Sequence, residues 1–146
     1  MTPDLVPASQ ISSFGPSDGP RHQARERALS LLYEADLKSV EVREVVSSLP
    51  AVPDSFALAL VLGVQDNLGE IDKLVSTAAV GWEMSRMPVI DRAALRLATW
   101  ELMFQSDTSI AVVIDEAVEL VKQYSTEQSG AFVNGVLSTI AQQVRS

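Results

Sequence analysis

The chain has 146 residues, of which 47% are apolar and 21% charged, and a formal net charge of −8 at pH 7. This length and composition are typical of one globular domain, and the lack of cysteine excludes disulfides, thiolate metal sites and a cysteine nucleophile. No apolar run approaches the roughly 18 residues that a membrane span needs, and the N-terminus lacks the features of a secretory signal, so we expect a cytoplasmic protein.

The first 20 residues differ in composition from the rest of the chain. They hold four of the seven prolines and show no apolar repeat at helical spacing. Such segments rarely bury enough apolar surface to fold. We therefore predict a disordered tail over residues 1–20 and a folded domain over residues 21–146, with Pro20 in the first turn of a helix.

Apolar residues then recur at helical spacing in seven stretches. In chain order these stretches cover 24–35, 42–49, 57–68, 71–78, 90–104, 113–124 and 133–144. The fifth stretch, 90–104, is apolar over most of its surface, which is typical of a helix surrounded by neighbours. Because no stretch alternates as a strand does, the pattern predicts an all-α bundle of six or seven helices.

Motifs of catalysis are not apparent. His22 is the only histidine, and neither a GxxxxGK[ST] loop nor a GxGxxG turn is present. The carboxylates of Asp115, Glu116 and Glu119 have the spacing of a solvated helix face. We therefore predict a protein that is not an enzyme and uses no cofactor or metal.

Arginines crowd the start of the first predicted helix. Arg21 and Arg25 are four residues apart and share one face. Arginines at a helix start oppose the helix macrodipole, so their placement needs another reason. A solvated first turn is one interpretation. The other is a site for RNA or another polyanion, to which His22, Gln23 and Arg27 also contribute.

Two further segments carry residues that a plain helix does not explain. Phe132 lies at the edge of the last apolar stripe, either as core or as a platform on which an unpaired base stacks. Gly135 weakens its helix unless it permits a close helix approach. Arg92 and Arg96, on the mostly buried fifth helix beside Asp91, need either acidic partners within the chain or a protein partner.

Three blocks of sequence, in this order, resemble the NusB family. They are Arg21 to Ala28 followed by Leu32-Tyr33-Glu34, then Ile90 to Ala98 with Trp100-Glu101-Leu102, and finally Ile114 to Lys122 with Phe132-Val133-Asn134-Gly135-Val136-Leu137. The resemblance extends from Arg21 to about Val144, so only the tail lies outside it.

The resemblance implies a fold of two small helical bundles and a function in transcription antitermination. Members bind a single-stranded element, boxA, in ribosomal RNA leaders together with the ribosomal protein NusE, and bring it to RNA polymerase without catalysis or a cofactor. By position, it implies that the RNA-binding residues are Arg21, His22, Gln23, Arg25, Arg27, Gln128 and Phe132. The surface that faces NusE is implied to include Tyr33, Asp91 and Arg96.

Two other functions remain open at this point. The same helical module occurs fused to ribosomal RNA cytosine methyltransferases, where it helps to bind the substrate. No methyltransferase domain follows Ser146, which favours a stand-alone adaptor. The second alternative is a helical scaffold that binds only proteins, and the sequence leaves homodimerisation undecided.

Overall fold

The computed structural model describes residues 19–145 and contains seven α-helices. In chain order they are α1 (Gly19–Lys38), α2 (Val42–Ser47), α3 (Ser55–Asp66), α4 (Leu68–Ala78), α5 (Val89–Phe104), α6 (Ile110–Tyr124) and α7 (Ser129–Val144). A 3-10 turn, Met84–Arg86, precedes α5. No strand occurs within the described range, so the predicted all-α class is confirmed. Residues 1–18 of the predicted tail lie outside the described residues.

Two helices begin at residues whose side chains cap the helix N-terminus. The Asp54 carboxylate accepts hydrogen bonds from the backbone N–H groups of Phe56 and Ala57, at 2.9 and 3.3 Å, and so caps α3. The Ser109 hydroxyl accepts from the N–H of Val112 at 3.2 Å and caps α6. Each cap satisfies amide groups that have no partner inside the helix. These caps separate consecutive apolar stretches into distinct helices.

Helix α5 is the centre of the molecule, as its apolar pattern predicts. It packs against α1, α3, α4, α6 and α7. Leu95 is fully buried, and Ala94, Leu97 and Leu102 are almost so. Helices α1 to α3 pack on one another, as do α4 to α7, and α5 also contacts α1 and α3. The two small bundles therefore share one continuous core through α5.

The C-terminal end of α5 is closed by an arginine from the far end of the chain. The Arg145 guanidinium donates to the backbone carbonyls of Glu101, Leu102, Gln105 and Thr108, at distances between 2.6 and 3.0 Å. The last carbonyls of a helix lack internal partners, and a cation there also suits the macrodipole. This contact joins the end of α7 to the end of α5 and to the loop before α6.

The close approach of two helices occurs at a different glycine from the one that the sequence suggests. A Cβ at Gly135 would meet no atom within 4 Å, so the predicted close helix approach at this position is wrong. The close approach occurs at Gly63 of α3, where a Cβ would lie 2.2 Å from Nε1 of Trp100. Because Trp100 is only 8% exposed, its indole has little space into which to move.

None of the described helices is long and apolar enough to cross a membrane.

We expect Gly63→Ala and Gly135→Ala to change stability in opposite directions. Gly63→Ala should lower the free energy of unfolding by about 1–3 kcal/mol, because the added methyl overpacks against Trp100. Gly135→Ala should raise it by up to about 1 kcal/mol, since alanine favours an exposed helix interior. Urea denaturation followed by circular dichroism measures both. A Gly63→Ala protein as stable as the parent would contradict the close packing of α3 on α5.

Candidate nucleic-acid interface

Arg25, expected on a cationic surface, lies instead at the junction of three helices. Its side chain is 3% exposed, and its Nε and Nη2 atoms donate to the two carboxylate oxygens of Glu101 on α5, both at 2.8 Å. Its Nη1 atom donates to Glu116 on α6 at 3.2 Å. This paired geometry is the strongest form of an arginine–carboxylate contact. Arg25 therefore ties α1 to both α5 and α6 inside the core.

His22 belongs to the same buried cluster. Its side chain is 6% exposed, and Nδ1 lies 3.1 Å from Oε1 of Glu116. Glu116 is itself only 8% exposed, which corrects its predicted place on a solvated face. The sequence does contain a signal for this, because position 116 falls between Val113 and Leu120 on the apolar side of α6.

Acidic neighbours stabilise the protonated, charged form of Arg25. Burial by itself would lower the pKa of Arg25, but the hydrogen bonds and charges of Glu101 and Glu116 raise that pKa above its ordinary value. Its Nε, Nη1 and Nη2 atoms each donate to one of these two carboxylates, and its side chain is 3% exposed. The prediction that Arg25 and His22 contact RNA is therefore corrected: their burial and their acidic partners give them a structural role.

The other arginines of this segment lie nearer to solvent. Arg21 is half-buried, with its guanidinium carbon 4.4 Å from the centre of the Phe56 ring and Nη1 3.5 Å from the Thr108 hydroxyl. Arg27 is exposed, on the side of α1 opposite Arg25. Gln23 is half-buried and its Nε2 atom has no hydrogen-bond partner among the described residues. Only part of the arginine-rich segment therefore reaches solvent.

A tyrosine that the sequence analysis did not single out connects α1 to the end of α6. The hydroxyl of Tyr124 donates to Oε2 of Glu26 at 2.7 Å. This hydrogen bond, with a smaller effect of burial, raises the pKa of Tyr124 to about 12. The ring is 48% exposed. The contact places the second turn of α1 beside the turn that carries Gln128, whose side chain is exposed.

Phe132 is half-buried at the start of α7, and its ring centre lies 5.4 Å from that of Trp82. Arg21, by contrast, contacts Thr108 at the opposite end of α6. The 15 residues of α6 span about 22 Å. The exposed and half-buried residues predicted to bind RNA therefore lie in two groups. Arg21 is near Thr108, whereas Gln128 and Phe132 are at the other end of α6, beside Tyr124 and the turn of α1 that carries Arg27.

The residues predicted to face a protein partner are also divided. Arg96 donates two hydrogen bonds to Asp72, at 2.8 and 3.0 Å, and Arg92 pairs with Asp36 at 2.6 Å. Acidic partners within the chain thus account for both arginines, one of the two interpretations left open by the sequence. Asp91 is 3% exposed, so its predicted place on a partner-facing surface is corrected.

A groove of about 450 Å³ opens between α1, α2, α3 and α5, beside the two arginine pairs. Its walls combine apolar side chains, such as Leu32, Val64 and Leu68, with the charges of Asp36 and Arg96. Tyr33, next to this wall on α1, is 37% exposed. Mixed apolar and charged walls of this kind suit a protein segment.

Comparison with known proteins agrees with the resemblance. The model of the NusB family matches residues 22–142. A curated relative from Saccharopolyspora erythraea, named transcription antitermination protein NusB, is 47% identical over 84% of this chain and 87% of its own length. The structure of T. maritima NusB is similar with a TM-score of 0.79 at 36% identity, covering 87% of this chain and 94% of that one. A structure of antitermination factors NusB and NusE in complex with dsRNA is similar with a TM-score of 0.71 at 32% identity, covering 84% and 96%.

We expect Arg25→Ala to lower the free energy of unfolding by about 3–5 kcal/mol, because it leaves two buried carboxylates without their cation. Arg43→Ala is the matched control, since Arg43 is exposed and its one ion pair within residues 19–145 is with Asp66 at 3.0 Å. Its loss should be at most about 1 kcal/mol. Urea denaturation measures both variants. Equal, small losses would show that the buried cluster does not hold α1 in place.

Proposed function

Because this chain belongs to the NusB family, we propose that it is a transcription antitermination factor that binds boxA-type single-stranded RNA together with NusE. The two proteins bring the RNA to elongating RNA polymerase in the cytoplasm, and each of these tasks is binding, which requires no catalysis. The observation that carries the proposal is the match to the NusB family model over residues 22–142. A relative named transcription antitermination protein NusB, 47% identical to this chain, supports it.

The proposed RNA surface follows the solvent side of α1 and the turn between α6 and α7. Unpaired RNA is recognised by stacking on aromatic rings and by hydrogen bonds to base edges, while cations hold its backbone. Arg21 and Arg27 are the cations, the rings of Tyr124 and Phe132 are the stacking platforms, and Gln128 offers an exposed amide. We propose that the contacts are made by Arg21, Gln23, Arg27, Tyr124, Gln128 and Phe132.

The charge of the chain favours a joint mode of binding. With a net charge of −8 and Arg25 engaged inside the core, few cations face RNA. Affinity for RNA alone should therefore be modest and sensitive to salt. A basic partner would supply the missing positive charge near the RNA. The net negative charge of this chain would also attract such a partner. This is the physical reason to propose NusE and RNA as simultaneous ligands.

We place NusE at the groove between α1, α2, α3 and α5. Its apolar walls bury side chains of the partner, and its rim carries Asp36 and the paired Arg92 and Arg96. Tyr33 stands beside the groove with more than a third of its surface exposed. Aromatic side chains at such positions commonly dominate the energy of an interface.

We expect Arg27→Ala to weaken binding of boxA-type leader RNA in the presence of NusE. Loss of one phosphate contact should reduce the slope of log affinity against log salt by about 0.7. Folding stability should stay within about 0.5 kcal/mol, because Arg27 is exposed. Gel-shift titration at several salt concentrations measures the slope.

The matched control for this test is Arg43→Ala, which removes the same charge from an exposed arginine on α2. It should leave the slope unchanged. If both variants reduce the slope equally, only net charge matters and no RNA surface is located at Arg27.

We expect Tyr33→Ala to weaken NusE binding about ten-fold, the usual scale for loss of a central interface tyrosine. Binding of RNA without NusE should not change, because Tyr33 lies outside the proposed RNA surface. Isothermal titration calorimetry with purified NusE measures the effect. Phe104→Ala, which removes another exposed aromatic at the end of α5, is the control and should bind NusE normally. Unchanged binding by Tyr33→Ala would place NusE elsewhere.

A further inference from the structure

A second groove lies between the 3-10 turn that precedes α5 and the start of α7. Its volume is about 460 Å³, within the range of sites that hold small ligands. Trp82 and Phe132 form one wall, Arg86 and Gln128 lie at its edges, and Asp91 also lines it. Phe132 and Gln128 connect this groove to the RNA surface proposed above, but Trp82, Arg86 and Asp91 have no role in that surface so far.

Trp82 is not part of the hydrophobic core. Its side chain is 56% exposed, although its ring centre lies 5.4 Å from that of Phe132, with the two planes inclined at 59°. The other tryptophan, Trp100, is only 8% exposed. A tryptophan with most of its surface in water is unusual, since this side chain is well buried on average. Its exposure beside a second aromatic ring makes it a platform for a flat ligand.

Asp91 indicates what kind of ligand fits. Its carboxylate is buried, and Oδ2 accepts a hydrogen bond from the Ser129 hydroxyl at 2.8 Å. Its other oxygen, Oδ1, has no hydrogen-bond partner among residues 19–145. A buried acceptor without a donor is costly and rare in native proteins. An apolar partner would leave this oxygen unsatisfied, whereas a ligand with an N–H group would satisfy it after a small shift of the side chains that cover it.

Arg86 supplies a cation at the mouth of the groove. Its side chain is 81% exposed, and its only ion pair within the described range is a loose one with Glu83 at 3.6 Å. Exposed pairs of this kind contribute little to stability. The guanidinium can therefore exchange its carboxylate partner for a phosphate, which it can bind through two hydrogen bonds.

We propose that this groove binds one unstacked nucleotide of the RNA, with the base against Trp82 and Phe132 and the adjoining phosphate on Arg86. The Asp91 carboxylate accepts a hydrogen bond from an amino group on the base edge. This inference rests on the proposed function, because it concerns the same RNA, and it adds a base-selective pocket to that surface.

The groove should distinguish cytosine from uracil, which have the same ring size. Cytosine carries an amino group, a donor, where uracil has a carbonyl oxygen, an acceptor. A carboxylate that faces this position of the ring attracts the amino group of cytosine and repels the carbonyl oxygen of uracil. Stacking alone gives only modest preferences between bases. A difference between cytosine and uracil therefore reports on Asp91 separately from the aromatic wall.

The first experiment measures binding of boxA-type leader RNA in the presence of NusE by gel shift. Trp82→Ala should weaken binding about ten-fold or more, while Trp82→Phe should retain most of the affinity, because the stacking surface is kept. Arg86→Gln should weaken binding at low salt, with an effect that shrinks as salt rises. Phe104→Ala and Arg43→Gln, an exposed aromatic and an exposed arginine elsewhere, are the matched controls and should bind as the parent does.

The second experiment uses the 12-nucleotide RNAs oligo(rC) and oligo(rU) at low salt and follows tryptophan fluorescence. Oligo(rC) should bind more tightly and quench the emission, and Trp82→Phe should lose that quenching, since Trp100 is buried. Asp91→Asn, which replaces the unpartnered oxygen by an amide group, should remove or reverse the preference for cytosine. Circular dichroism of each variant confirms that it is folded.

The outcomes separate this inference from the proposed function. If the parent protein does not bind leader RNA with NusE, the proposed function fails. If the parent binds but Trp82→Ala binds equally well and the tryptophan emission is not quenched, the inference about the nucleotide pocket is wrong while the proposed function stands. If Trp82→Ala weakens NusE binding in the absence of RNA and leaves RNA binding intact, the occupant is a protein side chain and the inference is overturned.

Discussion

The fold depends on a charged cluster buried where α1 meets α5 and α6. Arg25 satisfies Glu101 with two hydrogen bonds at 2.8 Å and Glu116 with a third at 3.2 Å. Groups of this kind are costly to bury, so each is stable only while its partners are present. Because the cluster fixes the first turns of α1, it also fixes Glu26 against Tyr124 and so positions the solvent side of α1 beside the turn before α7.

The position of the cluster divides the arginine-rich segment into two roles. Arg25 faces inward and holds helices together, whereas Arg27 on the opposite side of α1 faces solvent, where it can meet phosphate. The start of α5 is divided in the same way. Asp91 lines the groove beside Trp82, and its neighbour Arg92 lines the groove that we assign to NusE. One short segment of α5 thus borders both proposed ligands, which gives a physical route by which they could bind cooperatively.

Much of this structure could be predicted from the sequence because it depends on local periodicity. Apolar residues at helical spacing indicate seven helices, and the all-round apolar surface of α5 indicates its central place. The direction of Arg25 could not be predicted, because a helix pattern does not show which groups on distant helices come into contact. The burial of Glu101 and Glu116 could have been predicted, since both lie within apolar stretches; their pairing with Arg25 could not. Trp82 and Tyr124 were missed because Trp82 lies in the loop after α4 and Tyr124 is the last residue of α6, and apolar periodicity gives no information at such positions.

The central claim is that the exposed side of α1 and the Trp82 groove bind RNA while Arg25 does not. Nitrogen-15 NMR spectra, recorded while boxA-type RNA is added to the complex with NusE, test it directly, because side-chain N–H signals of arginine and tryptophan are observed individually. We predict that the indole signal of Trp82 and the Nε signal of Arg27 move, while those of Trp100 and Arg25 stay in place. Movement of Arg25 with Trp82 unchanged would contradict the account.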